Sequence, residues 1–221
     1  MHAPANASRL FGLLFLSTVL SVAAQGVVDA GDVRNVMVTA LSAVSLLLAL
    51  RAAELNRRLF AVAAVAAAVI VSLSLLRAFG ADIGEGAARA MNAGLVILAP
   101  PAVAVAVVRD LRSSGQVRLS AVAGVLSLYM LIGMAFAFTY GAIDRFGDDP
   151  FFADGGTATV SNCLYFSFTT LTTVGYGDFV AATELGHTLA VFEMLIGQIY
   201  LVTIVSLIVS NLGRPARRPG K

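Results

Sequence analysis

Tryptophan is absent from the chain, histidine occurs only as His2 and His187, and the single cysteine is Cys163. One thiol cannot close an intrachain disulfide, and Cys163 has no metal-ligand neighbours, so a disulfide scaffold and a cysteine-based metal site are both excluded. The two histidines stand far apart in the chain, no Ser, His and Asp set is recognisable, and no phosphate-binding loop occurs. Catalysis finds no support. Charge is scarce too: Asp, Glu, Lys and Arg make up 13% of the 221 residues and nearly cancel, at a formal net +2. So small a balance, with no basic stretch interleaved with aromatics, excludes a nucleic-acid binder.

What fills the chain is apolar. Hydrophobic residues account for 58%, and the mean hydropathy is +0.87. A soluble domain of this length carries far more charge, so an all-α integral membrane protein is expected. Apolar runs cover 10–28, 36–50, 59–76, 87–108, 119–140 and 185–212. Each is long enough, or nearly so, to cross a hydrocarbon core of about 30 Å as helix. A shorter segment, 161–172, cannot span; it reads as a half-membrane helix capped by Thr159 or Ser161.

Charge placement sets the expected orientation. With both termini cytoplasmic, eleven of the fifteen basic residues fall inside, and only Arg34, Arg77, Arg89 and Arg145 lie outside. Ten of the thirteen acids fall outside, with Glu54 and Asp110 inside and Glu193 left within a crossing. This ordering satisfies the positive-inside rule for six crossings in a cell membrane. Residues 10–24 also carry features of a secretory signal, with Val22-Ala23-Ala24 as its cleavage site, although only Arg9 makes up the basic region. The orientation of the later segments is the same either way.

Between the last two long runs lies Thr172-Thr173-Val174-Gly175-Tyr176-Gly177-Asp178. Glycine alternates here with β-branched or aromatic residues, and Gly175 and Gly177 take positive φ readily. Successive carbonyls can then face one side and stand in for a cation's hydration shell. At membrane depth such backbone is tolerated only where protein buries it or it lines a watery path. A Gly-rich re-entrant turn without an ion role is the alternative.

The strip, with Thr169-Thr170-Leu171 before it, resembles the selectivity-filter signature of the tetrameric potassium channel family, and the close similarity covers about residues 119–212. The resemblance implies the prokaryotic type with six transmembrane helices, a re-entrant pore helix and an extended filter, assembled as a homotetramer in lipid. One strip per chain and no internal repeat agree with four chains about one axis. It implies K+ ligation by Thr173, through carbonyl and hydroxyl, then by Val174, Gly175 and Tyr176, with Gly177 at the mouth. Thr172, Asp178, Tyr165 and Phe166 become filter supports. The last two occupy the family's aromatic-cuff positions, usually tryptophans. Tyr165 can still offer a hydroxyl to Asp178, whereas Phe166 has no polar atom for Tyr176, so a less firmly held filter is expected. The C-terminal end of the short helix carries roughly half a negative charge toward the cavity.

In the last run, Gly197 resembles the family's hinge glycine, or serves equally as a close-packing site against the short helix. By helical phase Gln198, Leu201, Val202 and Val205 line the cavity or its lower constriction. Glu193 is the only ionisable residue deep inside any crossing. It is expected near Thr169 or Thr170, either as a protonated packing anchor or as a tuner of the filter and its pH response. Asp144, Asp148, Asp149 and Asp154 form an outer acidic loop that either concentrates cations or is simply solvated.

Residues 1–112 have a voltage-sensor-like layout without the basic ladder. Their fourth run carries only Arg89, and Pro100-Pro101 is expected to kink or break it. Each charge moved gains only about 2.3 kcal/mol per 100 mV, so weak or absent voltage gating follows. Residues 113–213 form the expected pore domain. Residues 214–221 form a basic cytoplasmic tail at the lipid surface, with no room in this chain for a cytoplasmic ligand-binding domain. The expected function is passive potassium conduction with no organic cofactor. The alternative is an auxiliary or sensory membrane protein that keeps the channel fold and conducts poorly.

Overall fold

The computed structural model describes residues 4–27, 31–54, 56–80, 94–95, 97–106, 108–109 and 119–212. Among them every regular element is a helix: α1 (Pro4–Val27), α2 (Asp32–Ala52), α3 (Arg57–Ala78), α4 (Ile97–Ala106), α5 (Leu119–Phe146), α6 (Val160–Leu171) and α7 (Glu184–Leu212). Five of these, α1, α2, α3, α5 and α7, contain stretches long and apolar enough to cross a membrane. The remaining expected crossing, 87–108, is described only in part, with α4 at its centre. At Pro100-Pro101, where a kink or break is expected, α4 stays helical without a break.

Local chemistry sets the helix ends. Asn56 caps α3 by accepting from the Arg58 amide at 3.1 Å. The Arg109 guanidinium donates to the carbonyls of Ala53 and Glu54 just past α2, a cation at a helix C-terminus. That contact ties the chain beyond α4 to the turn between α2 and α3. On the other side Arg77, in the last turn of α3, pairs with Asp32, in the first turn of α2, at 3.8 Å. The Asp32 side chain is half exposed, so this pair contributes at most about 1 kcal/mol.

In lipid there is no hydrophobic drive between helices, so close fit and hydroxyl contacts hold them. The α1–α2 seam fits this account: the Ser17 and Ser45 hydroxyls meet at 2.8 Å beside buried Leu14, Ala43 and Leu46. Helix α1 also packs on α5, which carries α6, and α6 in turn contacts α7. Helices α3 and α7 leave most of their apolar surface uncovered in the single chain.

The loop after α5 returns to the strip. Phe152 bridges Ala181 in antiparallel fashion, with the Ala153 amide donating to Val180 O at 2.9 Å and the Ala182 amide to Phe151 O at 2.8 Å. Beneath this bridge Tyr140, Phe151, Phe152 and Phe166 form a buried aromatic cluster, with ring centroids 4.8–5.7 Å apart by pair. The start and end of the strip's supporting loops are thereby anchored to one core.

Candidate ion-conduction site

Helix α6 starts at the Thr159 cap, whose hydroxyl accepts from the Asn162 amide at 3.1 Å, and ends at Leu171. Three amides then tie the strip to the helix end. Thr173 donates to Thr170 O at 2.9 Å, and Val174 and Gly175 both donate to Thr169 O, at 2.9 and 3.1 Å. From there the backbone alternates in hand. Thr173, Gly175 and Gly177 have φ of 59°, 51° and 80°, while Val174 and Tyr176 between them are not positive. Alternating hand cancels the rotation from one peptide to the next, so successive peptide dipoles align on one side. Glycine takes this conformation freely; β-branched Thr173 does not, at a cost of about 1–3 kcal/mol. In the single chain the strip is open: Val174 is 53% exposed and Tyr176 71%.

Behind the strip stands Tyr165. Its ring stacks on Tyr176, with centroids 6.2 Å apart and planes 11° from parallel, and meets the Phe179 edge at 5.8 Å. Hydrogen bonding to the Asp178 carboxylate holds the Tyr165 phenol above its ordinary pKa. Asp178 also accepts from the Phe179 amide at 3.1 Å. Phe166 is placed differently from the cuff position that the resemblance implied. Its ring is buried against Tyr140, Phe151 and Phe152, on a different face from Tyr165 because neighbouring residues on a helix point about 100° apart. Its support for the strip is indirect, through the core under the bridge.

Helix α7 meets both the strip and α6. The Gln198 amide donates to the Thr173 hydroxyl at 2.8 Å. A Cβ on Gly197 would lie 2.0 Å from Leu171 O, so this position is a close-packing contact against the end of α6. Glu193 is fully buried, but its partners are Ser167 and Tyr140 rather than Thr169 or Thr170. Leu201 and Val202 are exposed on α7, and the Val205 side chain lies outside the described residues.

Of the outer-loop acids, two have local work. Asp144 accepts from the Phe151 amide and Asp154 from the Gly156 amide, both at 2.9 Å. Sequence reading missed Tyr129, whose hydroxyl donates to Leu171 O at 3.2 Å, and Tyr200, which reaches Val125 O. Their signal was present: a tyrosine in mid-crossing needs a partner for its hydroxyl. Gly133 and Ser167 gave none, since small residues are common on membrane helices. Among the described residues no group of His, Cys, Asp and Glu is arranged to hold a metal.

Residues 124–214, which cover most of α5 and all of α6, the strip and α7, match the family model described as an ion channel. The chain is also similar to the calcium-activated potassium channel slowpoke of Drosophila melanogaster, 29% identical over 103 residues. That similarity covers 47% of this chain and 8% of the fly protein, so the chain spans a small part of that relative. No solved structure matches. The matched segment contains every residue of the strip and its supports, and both similarities point to channels rather than to enzymes.

Proposed function

We propose that the chain is one subunit of a homotetrameric potassium channel in the cell membrane, with both termini cytoplasmic, and that it conducts K+ passively. Four copies of the strip surround the axis. The carbonyls of Thr173, Val174, Gly175 and Tyr176, with the Thr173 hydroxyl innermost and Gly177 at the mouth, replace the ion's water. The observation that carries this reading is the alternation of backbone hand at Thr173, Gly175 and Gly177. Similarity to a potassium channel of another organism supports the choice of ion.

Assembly follows from what one chain leaves uncovered. Val174 and Tyr176 expose apolar surface that a monomer has no reason to present, and α7 leaves Phe192, Leu195 and Ile199 open. Neighbouring copies cover the strip, and lipid or neighbours cover the helix faces. The C-terminal end of each α6 then turns its partial negative charge toward the ion's path. Leu201 and Val202 form an apolar ring below, a constriction that closes by dewetting. Without a ladder of basic residues in the fourth segment, membrane voltage has little charge to move.

The test is flux from liposomes containing the purified protein. Potassium efflux that sodium cannot replace is expected, and Gly175→Ala, forced into a left-handed backbone that alanine resists, abolishes it. Equal passage of the two ions rejects the proposal.

A further inference from the structure

Three helices meet at the Glu193 carboxyl. The residue sits on α7, fully buried. The Tyr140 hydroxyl of α5 donates to its Oε2 at 2.6 Å. Its Oε1 is in hydrogen-bond contact with the Ser167 hydroxyl of α6, and that hydroxyl lies 2.7 Å from the Gly133 carbonyl of α5. At Gly133 α6 packs tightly on α5, since a Cβ there would lie 3.0 Å from the Phe168 ring. No basic side chain among the described residues forms an ion pair with Glu193.

The hydrogens at this junction can be counted. A peptide carbonyl only accepts, and a serine hydroxyl has one hydrogen to give. At 2.7 Å the Gly133 carbonyl takes the hydrogen of Ser167. The contact between Ser167 and Glu193 Oε1 then needs a hydrogen from the carboxyl itself. An ionised Glu193 takes the Ser167 hydrogen instead and leaves two bare oxygens facing each other where water does not reach. Buried polar atoms without a hydrogen between them are costly. A neutral carboxyl satisfies every atom at the junction: Oε1–H donates to Ser167, Ser167 to Gly133, and Tyr140 to Oε2.

We propose that Glu193 carries its proton in the conducting state and donates it to Ser167, as a positioning residue that clamps α6 between α5 and α7. Loss of that proton is an off-switch for the filter. The coupling is short. Ser167 lies two residues before Thr169, whose carbonyl holds the Val174 and Gly175 amides, so release of α6 loosens the strip directly. The conduction half of this proposal rests on the function proposed above; the proton half does not. The titratable groups around Glu193 are Tyr129 and Tyr140 on α5, Cys163 on α6 beside Tyr140, and Tyr200 on α7 beside Tyr129. None of these is a carboxyl, so an infrared carboxylic-acid signal at this junction has one source.

The experiment uses the purified full chain in liposomes. At neutral pH the infrared spectrum should contain the band of a protonated carboxylic acid, absent from Glu193→Gln and shifted in Ser167→Ala, which lacks the acceptor. Raising the pH should remove the band and K+ efflux together in the wild type. Glu193→Gln, whose amide can donate to Ser167 and accept from Tyr140, should keep its efflux at alkaline pH. Absence of the band at neutral pH, a band unmoved by Ser167→Ala, or wild-type loss of efflux in Glu193→Gln each overturns the proposal. If the wild type passes no K+ at any pH, the conduction reading fails, and the band with its Ser167→Ala shift still decides where the proton sits.

Discussion

The Gln198 amide donates to the Thr173 hydroxyl at 2.8 Å, joining α7 to the first left-handed residue of the strip. The bond uses one of the two lone pairs on the hydroxyl oxygen and leaves the other for a cation. It also steadies a residue whose backbone is strained. Gln198→Leu removes the donor. A net hydrogen bond contributes about 0.5–1.5 kcal/mol, so a roughly two- to tenfold change in the K+ concentration dependence of flux is expected. Superimposable flux curves for the variant and the wild type rule out a functional role for this contact.

Gly197 faces Leu171 with no room for a methyl group. Because the obstruction is a backbone carbonyl, relief requires a helix to shift. Gly197→Ala is expected to destabilise the assembled protein by about 1–3 kcal/mol, seen as a lower thermal midpoint, and to reduce flux. A glycine that served only as a flexible point would behave differently. Alanine would then raise helix stability by about 1 kcal/mol and alter opening alone.

Tyr165 separates stacking from hydrogen bonding. Tyr165→Phe keeps the ring against Tyr176 and removes the hydroxyl that Asp178 holds. Currents through the variant should decline faster during sustained opening; an unchanged time course discards the tie. Its pH dependence has a definite sign. Hydrogen bonding to Asp178 raises the phenol above its ordinary pKa, so its contribution is complete below that ordinary value and is lost as pH rises through the folded-state pKa. The wild type should therefore converge on Tyr165→Phe behaviour only in strong alkali.

Thr173 has φ of 59° and no glycine's freedom. Thr173→Gly should relieve about 1–3 kcal/mol of backbone strain while deleting the hydroxyl. Greater thermal stability with poorer discrimination between K+ and Na+ is the expected pair of results. A variant that is less stable and equally selective counts against both assignments.

Much of the site was legible in the chain because its determinants are local. The alternation of Gly175 and Gly177 with bulkier residues, the Thr159 cap and the length of α6 depend on neighbours within a few residues, and the amides of 173–175 bond only to Thr169 and Thr170. Composition settled the membrane setting for the same reason: twenty apolar residues in a row have few other places to go. Side-chain partnership across helices was harder. Phe166 is expected at the strip by resemblance and packs in the aromatic core, and Glu193 reaches Ser167 instead of the threonines two and three residues further on.

By itself, then, the sequence determined an apolar helical chain, a helix too short to cross, and a strip able to alternate its backbone hand. Only the tertiary structure decided that Gly197 meets Leu171, that Gln198 meets Thr173, and that Ser167 stands between Glu193 and Gly133. The physical reason is reach. Backbone hand and helix capping are set over a few bonds, whereas a contact between α5, α6 and α7 depends on where whole helices cross, and small residues that permit close crossing leave no periodic trace in the chain.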